Sequence, residues 1–423
     1  MYLNYGKEYN MVKFLKKWTE TNLILKIIIG LIIGTILGIF VPNWTFLGFL
    51  GTLFVSSLKA VAPILVFFFF FFFISKAGKG IGSRFKTVII LYLSGTFLAA
   101  IIAVIISILF PVSIQLNTTY TSTATTNLWE VLSNIVITSI SNPIELVSNG
   151  QYLGILIWAI ILGLGLKICG NEKTKNLIAD FGNGTTWIVN GIIQCAPIGI
   201  MGLVFSSVSK NGLDIFSKYG QLIIILVSCV AIVAFILNPI ISAMAIRRNP
   251  YPLVLTCLRE SGITAFFSRS SAANIPVNMI LCERLGLDKD FFTISIPLGS
   301  TINMEGASIT IIVMTLALCH SIGISISLFI IILLSLVASV AACGSSGVAG
   351  GSILLIPLAC SLFGISSDIS MQVVGIGFII GVIEDSCETA LNSSSDALFS
   401  ATAEYYERRK KGEPMNYLGE FAK

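Results

Sequence analysis

Long apolar runs dominate this chain, separated by short polar or basic segments, and two polar knots break the pattern in its second half. The runs over about 23–40, 46–75, 87–111, 131–168, 184–207, 220–246, 291–318 and 370–402 predict membrane-crossing helices, which need about 20 apolar residues each. The knots are Ser268-Arg269-Ser270-Ser271-Ala272-Ala273-Asn274 and Cys343-Gly344-Ser345-Ser346-Gly347-Val348-Ala349-Gly350-Gly351. Each sits between apolar arms of roughly a dozen residues, and twelve helical residues rise about 18 Å, roughly half of a ~30 Å hydrocarbon core. The pattern predicts two helical hairpins, 252–283 and 324–364, that enter a membrane and turn back near its middle. Irregular backbone at that depth is tolerated only where protein or a water-filled cavity satisfies it. Two such tips meeting near the midplane form the binding-site architecture of a secondary transporter. The plainer alternative is that both tips are ordinary loops between short spans.

Basic residues orient the runs. Lys7, Lys13, Lys16 and Lys17 precede the first helix, and Lys76, Lys79, Arg84 and Lys86 lie between the second and third. Lys167, Lys173 and Lys175, then Arg247 and Arg248, Arg284 and Lys289, and finally Arg408 to Lys411 fall on the same side. The segment 113–129 has no Lys or Arg, and only Lys210 and Lys218 fall on the other face. By the excess of positive charge on the cytoplasmic side, both termini are cytoplasmic, with eight crossings and two oppositely oriented re-entrant hairpins. Each hairpin plus its following helix, carrying Asn303 or Asn392, makes one half of an inverted repeat. The expected fold class is an all-α polytopic membrane protein. No small-residue cleavage site follows the first run, so it reads as a retained helix.

Composition agrees. The 423 residues are 55% hydrophobic and 11% charged, with a mean hydropathy of +0.92; a soluble domain carries about 25% charge. The net charge of +5 comes from the short basic loops and not from a nucleic-acid-binding patch. Nine cysteines include no C-x-x-C pair and read as buried small hydrophobes. His320 is the only histidine. Phe67 to Phe73 reads as an apolar wall without function, Gly30, Gly34 and Gly38 as a close helix-packing face, within the chain or between subunits, and Lys59 as snorkelling.

The last run carries the strongest chemical signal. Asp385, Glu388, Thr389, Asn392 and Asp396 fall on one stripe about 100° wide on a regular helix. Together with Glu384, four carboxyls facing lipid would cost roughly 10 kcal/mol or more, so they face the interior. The seventh run contains Pro297 to Gly306, and a helix unwound there would turn Asn303 and Glu305 toward one ion and free carbonyl oxygens. An oxygen-rich, histidine-poor set suits an alkali cation and not a transition metal. Arg269, at a buried tip, calls for Glu388 or Asp385 as partner, or else faces water. Gly344-Ser345-Ser346-Gly347 also fits an intramembrane serine protease motif, but its base would have to be His320, at the outer end of its helix. Nothing resembles a repeated channel filter, and no phosphate-binding loop is present. An enzyme is not expected.

The stretches Arg269 to Pro276, Ile302-Asn303-Met304-Glu305-Gly306, Gly344 to Gly351, Asp385 to Ser394 and Leu58 to Leu65 resemble the dicarboxylate/amino acid:cation symporter family, most closely its bacterial sodium-coupled serine/threonine branch. The resemblance implies a glutamate-transporter-like fold, a homotrimer in the lipid of a bacterial inner membrane, and an elevator-type cycle with no cofactor beyond sodium as coupling ion. It divides the chain into a cytoplasmic tail (1–22), scaffold helices (23–75 and 131–208), a transport domain (87–111 and 220–402) and a second tail (403–423). Serine or threonine would bind through Asp385 to its ammonium, with Thr389 and Asn392, and through Ser271 and tip amides to its carboxylate. Sodium sites would use Gly299, Asn303, Asn392 and Asp396, and separately Thr301, Ala342, Cys343 and Ser345. A third would use Tyr92, Thr96, Asn303 and Glu305. Acidic-substrate relatives carry Asp at Glu305, Arg at Glu388 and Thr at Ala307. Glu388 therefore implies rejection of acidic side chains and acceptance of a hydroxyl, and Ala307 leaves room beside it.

Overall fold

The computed structural model describes residues 23–76, 83–114, 116, 137, 140–324, 326–345, 350–414 and 417–422, and every regular element among them is helical. The expected tail 1–22, most of the outer segment 113–129, the start of the fourth run and Ser346 to Ala349 of the second tip lie outside the described residues. The first three helices are α1 (Leu23–Phe40), α2 (Thr45–Lys76) and α3 (Ser83–Leu109). Next come α4 (Pro143–Ser148), α5 (Tyr152–Cys169), α6 (Glu172–Gln194) and α7 (Ala196–Asn211). The expected single fifth helix, 184–207, is instead two helices bent by 56° between α6 and α7. Pro197, which has no N–H to donate and disfavours helix in the residue before it, accounts for the break.

The sixth run forms α8 (Ile215–Ile232) and α9 (Asn238–Ile246), joined by a π-helical turn at Val233–Leu237. Pro239 cannot donate to Phe235, whose carbonyl accepts from Tyr251 Oη instead at 3.3 Å. The first knot joins α10 (Tyr251–Cys257) and α11 (Ile263–Ser268), linked by a second π turn, to α12 (Ile275–Arg284). Arg269 ends α11 in the left-handed conformation, φ 53°. The seventh run is α13 (Lys289–Ile302) and α14 (Glu305–Ser321), interrupted only at Asn303 and Met304; Pro297 stays inside α13. The second knot lies between α15 (Leu328–Ala342) and α16 (Ile356–Ser361). Last is α17 (Ser367–Lys411), closed by left-handed Gly412 and by Arg408 to Lys411, which complement the negative end of the helix dipole. It runs past the expected end at 402, and Arg284 meets the returning chain through Glu420 at 3.2 Å and the Phe421 ring at 4.2 Å.

Among the described residues five helical stretches are long and apolar enough to cross a membrane, or six with the bent α6–α7 pair. Helices α1, α2, α5, α6 and α7 are joined by one set of contacts; α3 and α8 to α17 gather around α14, which is buried on nearly every face, and α17. Gly30 and Gly34 face α7 so closely that a Cβ would stand 2.3 and 2.4 Å from the carbonyls of Pro197 and Met201. That stripe is a packing face within the chain. The two groups meet where Phe54 packs edge-on against Phe378 at 5.2 Å and where Phe70, from the phenylalanine run, lies against Gly344 at the second tip. Lys59 does not snorkel: its Nζ pairs with Asp368 in the first turn of α17. Both ends are well exposed, so the pair contributes at most about 1 kcal/mol.

Candidate functional site

The site forms where both hairpin tips and the broken α13–α14 helix close on the polar stripe of α17. A seam of small polar side chains fixes the first hairpin there. Asn274 Nδ2 donates to Ser393 Oγ at 2.7 Å and Ser261 Oγ at 3.0 Å, and Asn278 Nδ2 reaches the Ser393 carbonyl at 3.0 Å. All four residues are buried, so the hydrogen bonds offset a desolvation that would otherwise oppose packing.

Above the seam, Arg269 is 7% exposed and Asp385 2%. Arg269 Nε and Nη2 both lie 2.7 Å from Asp385 Oδ2. Of the partners anticipated for Arg269, the structure selects Asp385. Glu388 turns elsewhere: its Oε2 accepts from Ser352 Oγ at 2.7 Å and Thr310 Oγ1 at 3.0 Å. Thr310 also contacts Glu384, whose Oε2 is buried without a partner. Thr389 is buried, and its Oγ1 bonds back to the Asp385 carbonyl at 2.7 Å. Asn392 Oδ1 accepts from the Gly306 N–H at 2.7 Å and so caps the start of α14. Ala307 follows Gly306, where a Cβ would stand 2.7 Å from the Glu388 Cα. Ser271 is buried in the first tip.

One helical turn along α17, the break in the seventh run places Asn303 against Asp396. Asn303 Nδ2 lies 2.9 Å from Asp396 Oδ1, 2.7 Å from Ser395 Oγ and 3.3 Å from the Asn392 carbonyl. A Cβ on Gly299 would meet Asp396 Oδ1 at 2.8 Å, so the expected set Gly299, Asn303, Asn392 and Asp396 does converge. Asn303 Oδ1 and Asp396 Oδ2 are both buried without partners, as is Glu305 Oε1. Unpartnered buried oxygens are costly, and a bare cation satisfies several at once, so this set fits sodium. Thr301 Oγ1 bonds its own helix at Leu298, and Cys343 Sγ approaches the Ile302 carbonyl at 3.6 Å. That contact brings Ala342 and Cys343 beside the end of α13, with the Ser345 N–H turned back to Ala342 at 3.0 Å.

Tyr92 Oη lies 3.1 and 3.2 Å from the carbonyls of Ser295 and Asp396, and Thr96 Oγ1 accepts from the Met304 N–H at 3.2 Å. Glu305 Oε2 accepts from Asn238 Nδ2 at 2.8 Å, while Asn303 Nδ2 takes Ser395 Oγ. Asn238, Thr310, Ser352 and Ser395 were not singled out from the sequence. Asn238 had a signal, an Asn-Pro pair inside an apolar run; the hydroxyls had none, because Ser and Thr are common in buried helices.

The sequence profile of the sodium:dicarboxylate symporter family matches residues 23–405. Proteins named serine/threonine transporter SstT from Streptococcus agalactiae serotypes Ia, V and III are each 53% identical to this chain over 400 residues, covering 93% of it and 98% of the relative. The matched span contains both hairpins, the broken helix and all of α17 except its last six residues. The chain belongs to the sodium:dicarboxylate symporter family.

Proposed function

We propose that this protein imports serine and threonine together with sodium across a bacterial inner membrane. The carrying observation is Asp385: a carboxylate buried at the junction of both hairpin tips and neutralised by a guanidinium from one of them. An amino acid's ammonium replaces that guanidinium, while its carboxylate meets Ser271 and the tip amides. Thr389 and Asn392 complete the pocket. Glu388 stands where the side chain projects. Its charge repels aspartate and glutamate, and its oxygens accept a hydroxyl proton, with Ala307 leaving space. The names of the relatives support the same substrates.

Sodium binds at Asp396, Asn303 and the carbonyls of Gly299 and Asn392, where buried oxygens lack partners. A second ion uses Thr301 and the carbonyls of Ala342, Cys343 and Ser345. A third uses Tyr92, Thr96, Asn303 and Glu305. The ions neutralise carboxylates that the substrate then approaches, which couples the two.

The cycle is an elevator: α3 and α8 to α17 move as a block against α1, α2 and α4 to α7, in a trimer with eight crossings per chain and cytoplasmic termini. The Lys59–Asp368 pair supports a block displaced toward the cytoplasm. Lys59 lies about 20 Å along α2 from Thr45, at 1.5 Å per residue, whereas Asp368 starts α17. Both helix ends belong to the outer face in the positive-inside assignment. Serine binding by purified protein tests the proposal: it is expected in NaCl and lost in KCl, and equal affinity in the two salts contradicts it.

A further inference from the structure

Each carboxylate assigned to the substrate is already occupied by a group from a hairpin that resembles the part of the substrate it would bind. Arg269, from the first hairpin, brings a cation to Asp385; Ser352, from the second, brings a hydroxyl to Glu388 at 2.7 Å. Ser352 is fully buried, and Glu388 is 5% exposed. We propose that Ser352 is a positioning residue for Glu388: its hydroxyl stands in for the substrate hydroxyl in the empty carrier and is displaced when substrate enters. This rests on the reading of Glu388 as acceptor of the substrate hydroxyl.

The physical argument is a donor count. A buried carboxylate needs donors in every state of the cycle, because an unmet charge in an apolar site is costly. Glu388 receives Thr310 from α14 and Ser352 from the second hairpin. Thr310 is shared with Glu384, so it does not supply a full donor to Glu388. Ser352 precedes the short 3-10 turn Ile353–Leu355 and follows a left-handed Gly350, so it moves with the second tip. Admitting a substrate between this tip and α17 separates Ser352 from Glu388. Serine and threonine restore the lost donor with their own hydroxyl; alanine does not. The broken Ser352 bond is a cost common to both substrates and cancels between them, so discrimination against alanine is the new bond that alanine cannot make. A symporter must also return empty, and Ser352 satisfies Glu388 during that return.

The test is uptake kinetics in proteoliposomes for Ser352→Ala and Ser352→Thr, with serine and alanine as substrates. Ser352→Ala removes the internal competitor. It is expected to lower the serine KM by up to about tenfold, the scale of one hydrogen bond to a charge, and the alanine KM by a similar factor. It is also expected to slow net uptake at saturating serine more than serine–serine exchange, because only net uptake requires the empty return. Ser352→Thr, which keeps the hydroxyl, restores both. If Ser352→Ala fails to fold, Ser352→Cys, a weak donor of similar size, is read in its place and shows the same changes at smaller size. A rise in serine KM, a shift for serine but not for alanine, or no shift in either overturns the proposal. Failure of the underlying reading has a different signature: wild-type protein that does not favour serine over alanine, or a ranking that Glu388→Gln leaves unchanged.

Discussion

Asp385→Ala separates the roles of the buried ion pair. Asp385 and Arg269 side chains are 2% and 8% exposed, with two nitrogens each 2.7 Å from one oxygen. Removing one partner of such a pair leaves a buried unpaired charge at a cost of about 3–5 kcal/mol. In the substrate-bound carrier the unmet charge is the ammonium, so serine affinity falls by roughly 150- to 4,000-fold at about 1.4 kcal/mol per decade. In the empty carrier the unmet charge is Arg269, so the same substitution lowers the thermal unfolding temperature of detergent-purified protein. Arg269→Ala in the Asp385→Ala background removes that charge. The double variant is expected to recover most of the lost stability and none of the uptake. Labelled serine uptake and a melting curve on the three proteins decide it. A serine KM within a few-fold of wild type in Asp385→Ala, or uptake regained by the double variant, refutes the assignment of Asp385 to the ammonium.

Other positions give distinct outcomes. Glu388→Arg is expected to weaken serine uptake and to let aspartate compete, because a guanidinium matches a carboxylate in two-point geometry; competition assays read it, and an unchanged ranking removes Glu388 as selector. Asp396→Asn keeps shape but removes the formal charge beside Asn303, so the sodium concentration for half-maximal uptake should rise at least tenfold while the melting temperature changes little. An unchanged sodium dependence rules out this site. Cysteines at Lys59 and Asp368 joined by a short bifunctional reagent are expected to stop uptake and to release it on cleavage of the link. Full-rate cycling of the linked protein contradicts the moving block.

Much of this molecule was legible because a bilayer penalises polar groups so heavily. The stripe from Asp385 to Asp396 had to face inward, and the tip containing Arg269 needed a buried anion; those two deductions meet in one ion pair. The break at Asn303 was anticipated between Pro297 and Gly306, but the helix tolerates Pro297 and opens for only two residues. What stayed hidden were choices among near-equivalent partners. Nothing in the pattern tells that Asn392 spends its side-chain oxygen on the Gly306 N–H, or that Ser352 and not another hydroxyl meets Glu388. Lys59 was misread for a related reason. A lone lysine in an apolar helix reads as snorkelling until the fold brings Asp368 to it from 309 residues away. The glycine stripe of α1 announced close packing without naming α7 as its partner.

Accumulation of labelled serine in proteoliposomes, with membrane potential and sodium gradient set independently, tests the central claim most directly. One sodium ion moving down 100 mV supplies about 2.3 kcal/mol, and a tenfold gradient adds about 1.4 kcal/mol. With one ion per zwitterionic serine, the two together sustain roughly a 500-fold serine gradient. The account predicts accumulation that approaches or exceeds this value, falls when either force is removed, and vanishes when choline replaces sodium. Accumulation of the same size in choline or potassium contradicts it.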